Sequence, residues 1–229
     1  MKVIIPIGGG SIDNKSTLKI DEFIVNLVKK GTKKVLLIPS AGGDNDNYIE
    51  KFKEYYTSFG CEVDALCLTK ITNDNLIRSK IFSSDIIYIG GGNTGKLMRI
   101  LKRTKVNEYL RLAYERGIIL TGISAGAMVY FESGYSDCNR STDPNTKLTY
   151  LKCLNMIPYC FCPHYNEQER KEFDCFVKEK QINGIAIEDD CALLFIDDKI
   201  NGVIKCNSNN NGYYLTSTSK EEINDVTAR

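Results

Sequence analysis

Ser124 stands at the centre of Gly122-Ile123-Ser124-Ala125-Gly126, a G-x-S-x-G pentapeptide. An apolar run, Gly117–Ile123, precedes it and a helix-like stretch, Ser124–Phe131, follows. In that context the serine occupies a sharp strand-to-helix turn and projects from the carboxyl edge of a sheet. The flanking glycines let strand and helix approach closely. The amide of Ala125 falls in the first helical turn, where N–H groups lack an intrahelical partner and can donate to an oxyanion. A serine hydroxyl needs a base to become a nucleophile. The chain holds one imidazole, His164, in Cys162-Pro163-His164-Tyr165 after another apolar run. A third group must orient that imidazole. The candidates are Asp137, in the polar segment after the elbow, and Glu188, Asp189 and Asp190, which follow Gly184–Ile187.

A second glycine-rich loop, Gly90-Gly91-Gly92-Asn93-Thr94-Gly95-Lys96, also follows an apolar run. It approaches the phosphate-binding pattern G-x-x-x-x-G-K, but Leu97 stands where a hydroxyl would hold magnesium. Its backbone amides at Gly91, Gly92 and Asn93 are better read as the second half of an oxyanion site. Gly8-Gly9-Gly10 lacks the dinucleotide spacing and reads as a turn or a rim of the substrate site. The nine cysteines include no C-x-x-C pair, and one histidine offers little to zinc. They read as reduced thiols in a cytoplasmic protein, with no metal and no cofactor expected.

These groups need a scaffold that brings distant strand ends together. Strand-like runs at Val3–Ile7, Lys34–Pro39, Glu62–Cys67, Asp85–Ile89 and Gly117–Ile123 alternate with helical patterns at 17–30, 47–59, 73–80, 94–102 and 106–116. Near-continuous apolar strands alternating with helices predict an α/β fold: a doubly wound, mainly parallel sheet with helices on both faces. After Phe131 the pattern changes. Residues 132–147 read as a polar loop and 167–180 as a charged helix. Short runs at 184–187, 192–196, 202–205 and 213–216 predict antiparallel strands near the C-terminus, on the sheet edge. The tail from Lys220 reads as a short helix or frayed end.

The 229 residues fit one domain, 1–229. Hydrophobic residues make up 42% and net charge is +1, which gives no broad electrostatic reason to expect nucleic acid or an anionic membrane as partner. No apolar run is long enough to span a bilayer, and the first residues lack a signal-peptide pattern. A small peptide is the expected partner, with the protein a monomer or homodimer.

Taken together, Gly90-Gly91-Gly92-Asn93-Thr94, Gly122–Ala127 and Pro163-His164-Tyr165 resemble the peptidase E (aspartyl dipeptidase) family, which includes cyanophycinases. The resemblance runs from the first strand to about Ala192. It implies a fold like that of class I glutamine amidotransferases, with serine as nucleophile, and no metal. Carried onto this chain, it implies Ser124 as nucleophile, His164 as base, and Gly92 and Ala125 at the oxyanion positions. The acid position matches Asp137 or, approximately, Asp189, where the family usually has Glu. Substrates would be Asp-X dipeptides, whose side chain needs a cation, and Arg170 is the candidate. A cyanophycin-type or isoaspartyl hydrolase, a non-catalytic binding module and a nucleotide binder using Gly90–Lys96 are the rival expectations.

Overall fold

The computed structural model describes residues 1–29, 31–141 and 146–226. Strand β1 (Val3–Ile7) leads to helix α1 (Leu18–Leu27), β2 (Lys33–Ile38), α2 (Asp46–Thr57), β3 (Cys61–Ala65), α3 (Asp74–Phe82) and β4 (Ile86–Ile89). Helices α4 (Thr94–Arg103) and α5 (Val106–Glu115) precede β5 (Ile119–Ile123) and the single-turn α6 (Ala125–Met128). The second half holds β6 (Phe131–Ser136), β7 (Thr149–Lys152), β8 (Ile157–Cys162), α7 (Glu172–Lys180), β9 (Gly184–Ile187), β10 (Cys191–Ile196), β11 (Lys199–Lys205), β12 (Gly212–Leu215) and β13 (Lys220–Glu222).

The first sheet runs β11-β10-β1-β5-β4-β2-β3. Its last five strands are parallel, and the β10–β11 hairpin is added antiparallel against β1. Successive residues of a strand face opposite sides. Ile87 and Ile89 of β4 therefore join one apolar cluster with Leu97, Leu101 and Leu110 of α4 and α5. Ile86 and Tyr88 join the other, with Ile20 and Ile24 of α1 and Phe52 and Tyr56 of α2. Both faces are covered, as the unbroken apolar runs require. No helix among the described residues is long and apolar enough to cross a membrane.

A second sheet, β13-β12-β9-β8-β6-β7, was not anticipated. β6, β8 and β9 are parallel. One face enters the main core through Phe131, Phe161 and Ile185. The other is covered by α7 through Phe173 and Val177. Three expectations are corrected by it. The segment read as a polar loop from Glu132 begins as β6, where Ser133 and Ser136 are buried. Its small polar side chains obscured a strand whose backbone pairs on both sides. The helix after the elbow ends at Met128, because Phe131 already belongs to that strand. Of the short C-terminal strands only β10 and β11 edge the first sheet; β12 pairs with β9, and the expected tail from Lys220 forms β13 on it.

Candidate active site

The carboxyl ends of parallel strands from both sheets meet at one place. β5 delivers Ser124, β4 delivers Gly90–Gly92 and β1 delivers Gly8–Gly10, while β8 delivers His164 and β9 delivers Glu188 and Asp189. An isolated bridge between Gly9 and Asp189 links the two sets.

Ser124 sits at φ 54°, ψ −114°, a conformation that L-residues rarely adopt, and its N–H donates to the Ile7 carbonyl at 3.0 Å. The glycines at 122 and 126 are explained by contact. A Cβ on Gly126 would lie 2.0 Å from the Ile89 carbonyl oxygen, and one on Gly122 would lie 2.6 Å from that of Gly126. Only bare backbone fits where α6 leaves the sheet.

His164 Nε2 is 2.7 Å from Ser124 Oγ, and His164 Nδ1 is 2.7 Å from Asp189 Oδ1. An ionised carboxylate only accepts, so Nδ1 carries the proton and Nε2 is left to accept from the serine hydroxyl. Asn166 clamps the acid reciprocally: its Nδ2 donates to Asp189 Oδ2 at 3.1 Å, and its Oδ1 accepts from the Asp189 N–H at 3.0 Å. Burial pushes the Asp189 carboxyl up, but the hydrogen bond and charge of His164, helped by Asn166, outweigh it and hold the group below its ordinary value. His164 itself has φ 54°. The buried Tyr165 pins the turn after it, through its N–H to the Ile187 carbonyl and its hydroxyl to Asp174. Lys220 donates to the same hydroxyl at 2.5 Å.

The other expected carboxylates turn elsewhere. Asp137 lies 3.0 Å from an Arg170 nitrogen, not against His164. Glu188 accepts from the Asn211 N–H and pairs with Lys171 at 3.5 Å. Arg170 is not among the residues that line the cleft beside Ser124. It is 3% exposed, and its guanidinium is committed to the Tyr135 carbonyl, Asp137 and Glu167.

On the oxyanion side, Ala125 opens α6, where the Ser124 carbonyl accepts from Ala127 and Met128. A Cβ on Gly91 would fall 3.7 Å from Ser124 Cβ, so this glycine lies against the serine. Gly92, at φ 140°, packs on Ala41, where a Cβ would come within 2.4 Å. Asn93 is a correction. Its N–H donates to Ala41, its Oδ1 caps α4 by accepting from Lys96, and its Nδ2 donates to the Cys138 carbonyl. It builds the loop and has no N–H to spare for an oxyanion.

Three residues escaped the sequence reading, and a fourth, Gly9, was read only as part of a turn or substrate rim. A Cβ on Gly9 would strike Asp189 Oδ1 at 1.8 Å and His164 Nδ1 at 2.4 Å, so this glycine is the floor under the pair. The triple glycine after β1 was its signal. Asn166 lies two residues from His164 but carries no motif. Tyr48 and Tyr88, which line the cleft, resembled ordinary core aromatics.

A serine hydroxyl, an imidazole and a carboxylate in series, on an α/β scaffold with a strand-to-helix elbow, form the arrangement that serine hydrolases use. The family model for peptidase family S51 matches residues 4–203, and the chain belongs to that family. It is a peptidase. It is 33% identical over 225 residues to the uncharacterized peptidase YgaJ of Bacillus subtilis (strain 168), covering 96% of this chain and 95% of that one. It is 29% identical over 145 residues to Peptidase E of Nostoc sp., covering 62% and 56%. The crystal structure of a peptidase from an acI-B1 Actinobacterium superimposes with a TM-score of 0.69 over 99% of this chain and 96% of that one, at 17% identity.

Proposed function

We propose that the protein cleaves small peptides through an acyl-enzyme. Ser124 Oγ attacks the scissile carbonyl while His164 Nε2 takes its proton. Asp189 keeps the imidazole in the required tautomer and stabilises the imidazolium. The amides of Ala125 and of the Gly91–Gly92 loop receive the developing oxyanion. His164 returns its proton to the leaving amine. A water molecule, activated by the same imidazole, then releases the acyl product and restores the serine. The continuous chain from Ser124 Oγ through the ring of His164 to Asp189, with both contacts at 2.7 Å, carries this reading. Nine cysteines, none joined in a disulfide among the described residues, fit work in the reducing cytoplasm.

Preference for an acidic side chain, as in Asp-X dipeptides, depended on Arg170 reaching the substrate. With that guanidinium bound to the Tyr135 carbonyl, Asp137 and Glu167, Arg170 does not supply the needed cation here. Ser124→Ala and His164→Ala should each lower kcat by about 10⁴-fold or more, with an unchanged thermal midpoint for both. Turnover of a dipeptide panel by either variant at the wild-type rate would refute the reading.

A further inference from the structure

His164 and Asp189 follow the ends of two neighbouring parallel strands, β8 and β9. The paired register of those strands ends at Cys162 and Ala186. Beyond it the Tyr165 N–H reaches the Ile187 carbonyl at 3.1 Å. His164, at φ 54°, holds a backbone conformation that persists only where its surroundings over-determine it. The side chains packed on this turn from outside the cleft therefore bear on where the imidazole stands.

Lys171 touches the chain neighbour of each partner. Its ammonium lies 3.8 Å from the centroid of the Tyr165 ring and 3.5 Å from Glu188 Oε1. Tyr165 follows His164 in the chain, and Glu188 precedes Asp189. One cation thus bridges the turn that carries the imidazole and the strand end that carries the carboxylate. Both of its partners are withdrawn from water: Tyr165 is fully buried and the Glu188 side chain is 11% exposed. Cation–π attraction and ion pairing both strengthen as water is removed. An exposed surface pair such as Lys51–Asp13 has no such advantage.

The bridge is anchored at each end. Glu188 Oε2 accepts from the Asn211 N–H at 2.9 Å. The Tyr165 hydroxyl is bonded to Asp174 and Lys220, and the Tyr213 ring packs on it at 5.4 Å between centroids. Lys171 itself closes a short helical turn, Gln168–Lys171, that runs directly into α7. It is not among the residues lining the cleft, so its route to the reaction is through the pair.

We propose that Lys171 is a positioning residue: through Tyr165 and Glu188 it keeps the His164 ring in register with Asp189 on one side and Ser124 on the other. The inference rests on the serine-peptidase reading and adds a residue to it.

The test uses the full chain with Lys171→Met, which keeps the apolar stem and removes the charge, beside Lys171→Arg, Glu188→Gln and the double variant Lys171→Met/Glu188→Gln. Three quantities are read. One is the rate of Ser124 labelling by a fluorophosphonate, which needs the base but no peptide recognition. The others are kcat and KM on the dipeptide that the wild type cleaves fastest, and the urea midpoint. Lys171→Met should slow labelling and lower kcat by about tenfold, with KM within about twofold of wild type. Lys171→Arg should recover part of the loss, and the double variant should be no slower than Lys171→Met, because the two substitutions break one bridge. Wild-type labelling and kcat in a folded Lys171→Met, a raised KM at constant kcat, no recovery in Lys171→Arg, or additive losses would overturn the inference. Should Lys171→Met not fold, Glu188→Gln carries the test by the same readouts, and a wild-type kcat there overturns it. A wild type that neither labels at Ser124 nor cleaves any dipeptide would instead remove the underlying reading, so the two failures are distinguishable.

Discussion

At the scale of the residue, Asp189 lies against the imidazole of His164, where neither Glu188 nor Asp137 does. Adjacent positions after a strand point in opposing directions. Glu188 turns to Lys171 and the Asn211 amide, while Asp189 turns to His164. Asp189→Asn should retain the fold and lower kcat by about 10⁴-fold, because an amide at that position favours the wrong tautomer. Asp137→Asn should leave kcat near wild type and cost about 1 kcal/mol of stability, since Arg170 is buried but Asp137 is half-exposed and Glu167 remains as a partner. Urea midpoints and steady-state rates on the pair of variants separate the two roles, and a kinetic collapse in Asp137→Asn would reverse them. Asn166→Ala should lower kcat by about 10- to 100-fold, through misplacement of the acid rather than loss of a reacting group. Asn166→Asp would place a second negative charge against Asp189 Oδ2 and should not rescue it.

At the scale of the element, the elbow is legible because its determinants are local. An apolar strand, five residues with two obligatory glycines and a helical start sit together in the chain. Gly126→Ala should destabilise the protein by about 2 kcal/mol, because the added methyl meets the fixed carbonyl of Ile89 rather than a side chain that could move. A thermal midpoint equal to the wild type would show that the strand can yield. The first-half elements were legible for the same reason: runs buried on both faces and amphipathic helices carry their own periodicity. The strand β6 was not. Residues 131–136, Phe-Glu-Ser-Gly-Tyr-Ser, alternate poorly. They are held by pairing to β7 and β8, and those strands lie 13 or more residues further on. Gly134 there fits against the Met128 sulfur, a contact no local pattern could announce.

At the scale of the whole molecule, two sheets share one edge, and a buried carboxylate ties the helices on the opposite face of the first sheet. Asp21 of α1 accepts from Thr17, Tyr55 and Tyr56, the last two on α2. Burial pushes its carboxyl up to about 6, although the three donors oppose the rise. Since the folded value lies above the unfolded one, folding binds a proton between them. Stability from this group is therefore full below about pH 4, declines through about pH 6, and is level above, with a total change of about 3 kcal/mol. Asp21→Asn should remove that decline, so the difference in thermal midpoint between variant and wild type should change across pH 4–6 and be constant from pH 7 to 8. Parallel profiles throughout would mean that Asp21 titrates alike in both states.

By itself the sequence determined the parallel α/β half, the turn at Ser124 and the imidazole to pair with it, because each depends on residues within a few positions or, for His164, on being the sole imidazole. The tertiary structure alone decided which carboxylate faces that imidazole, that Gly9 lies beneath the pair, that Arg170 is spent on Asp137, and that two tyrosines line the cleft. Each of these is a matter of side-chain direction at the meeting of strands from two sheets, 25 to 180 positions apart. Pairing across such distances is set by the packing of the whole chain, and leaves no periodic trace in any one segment.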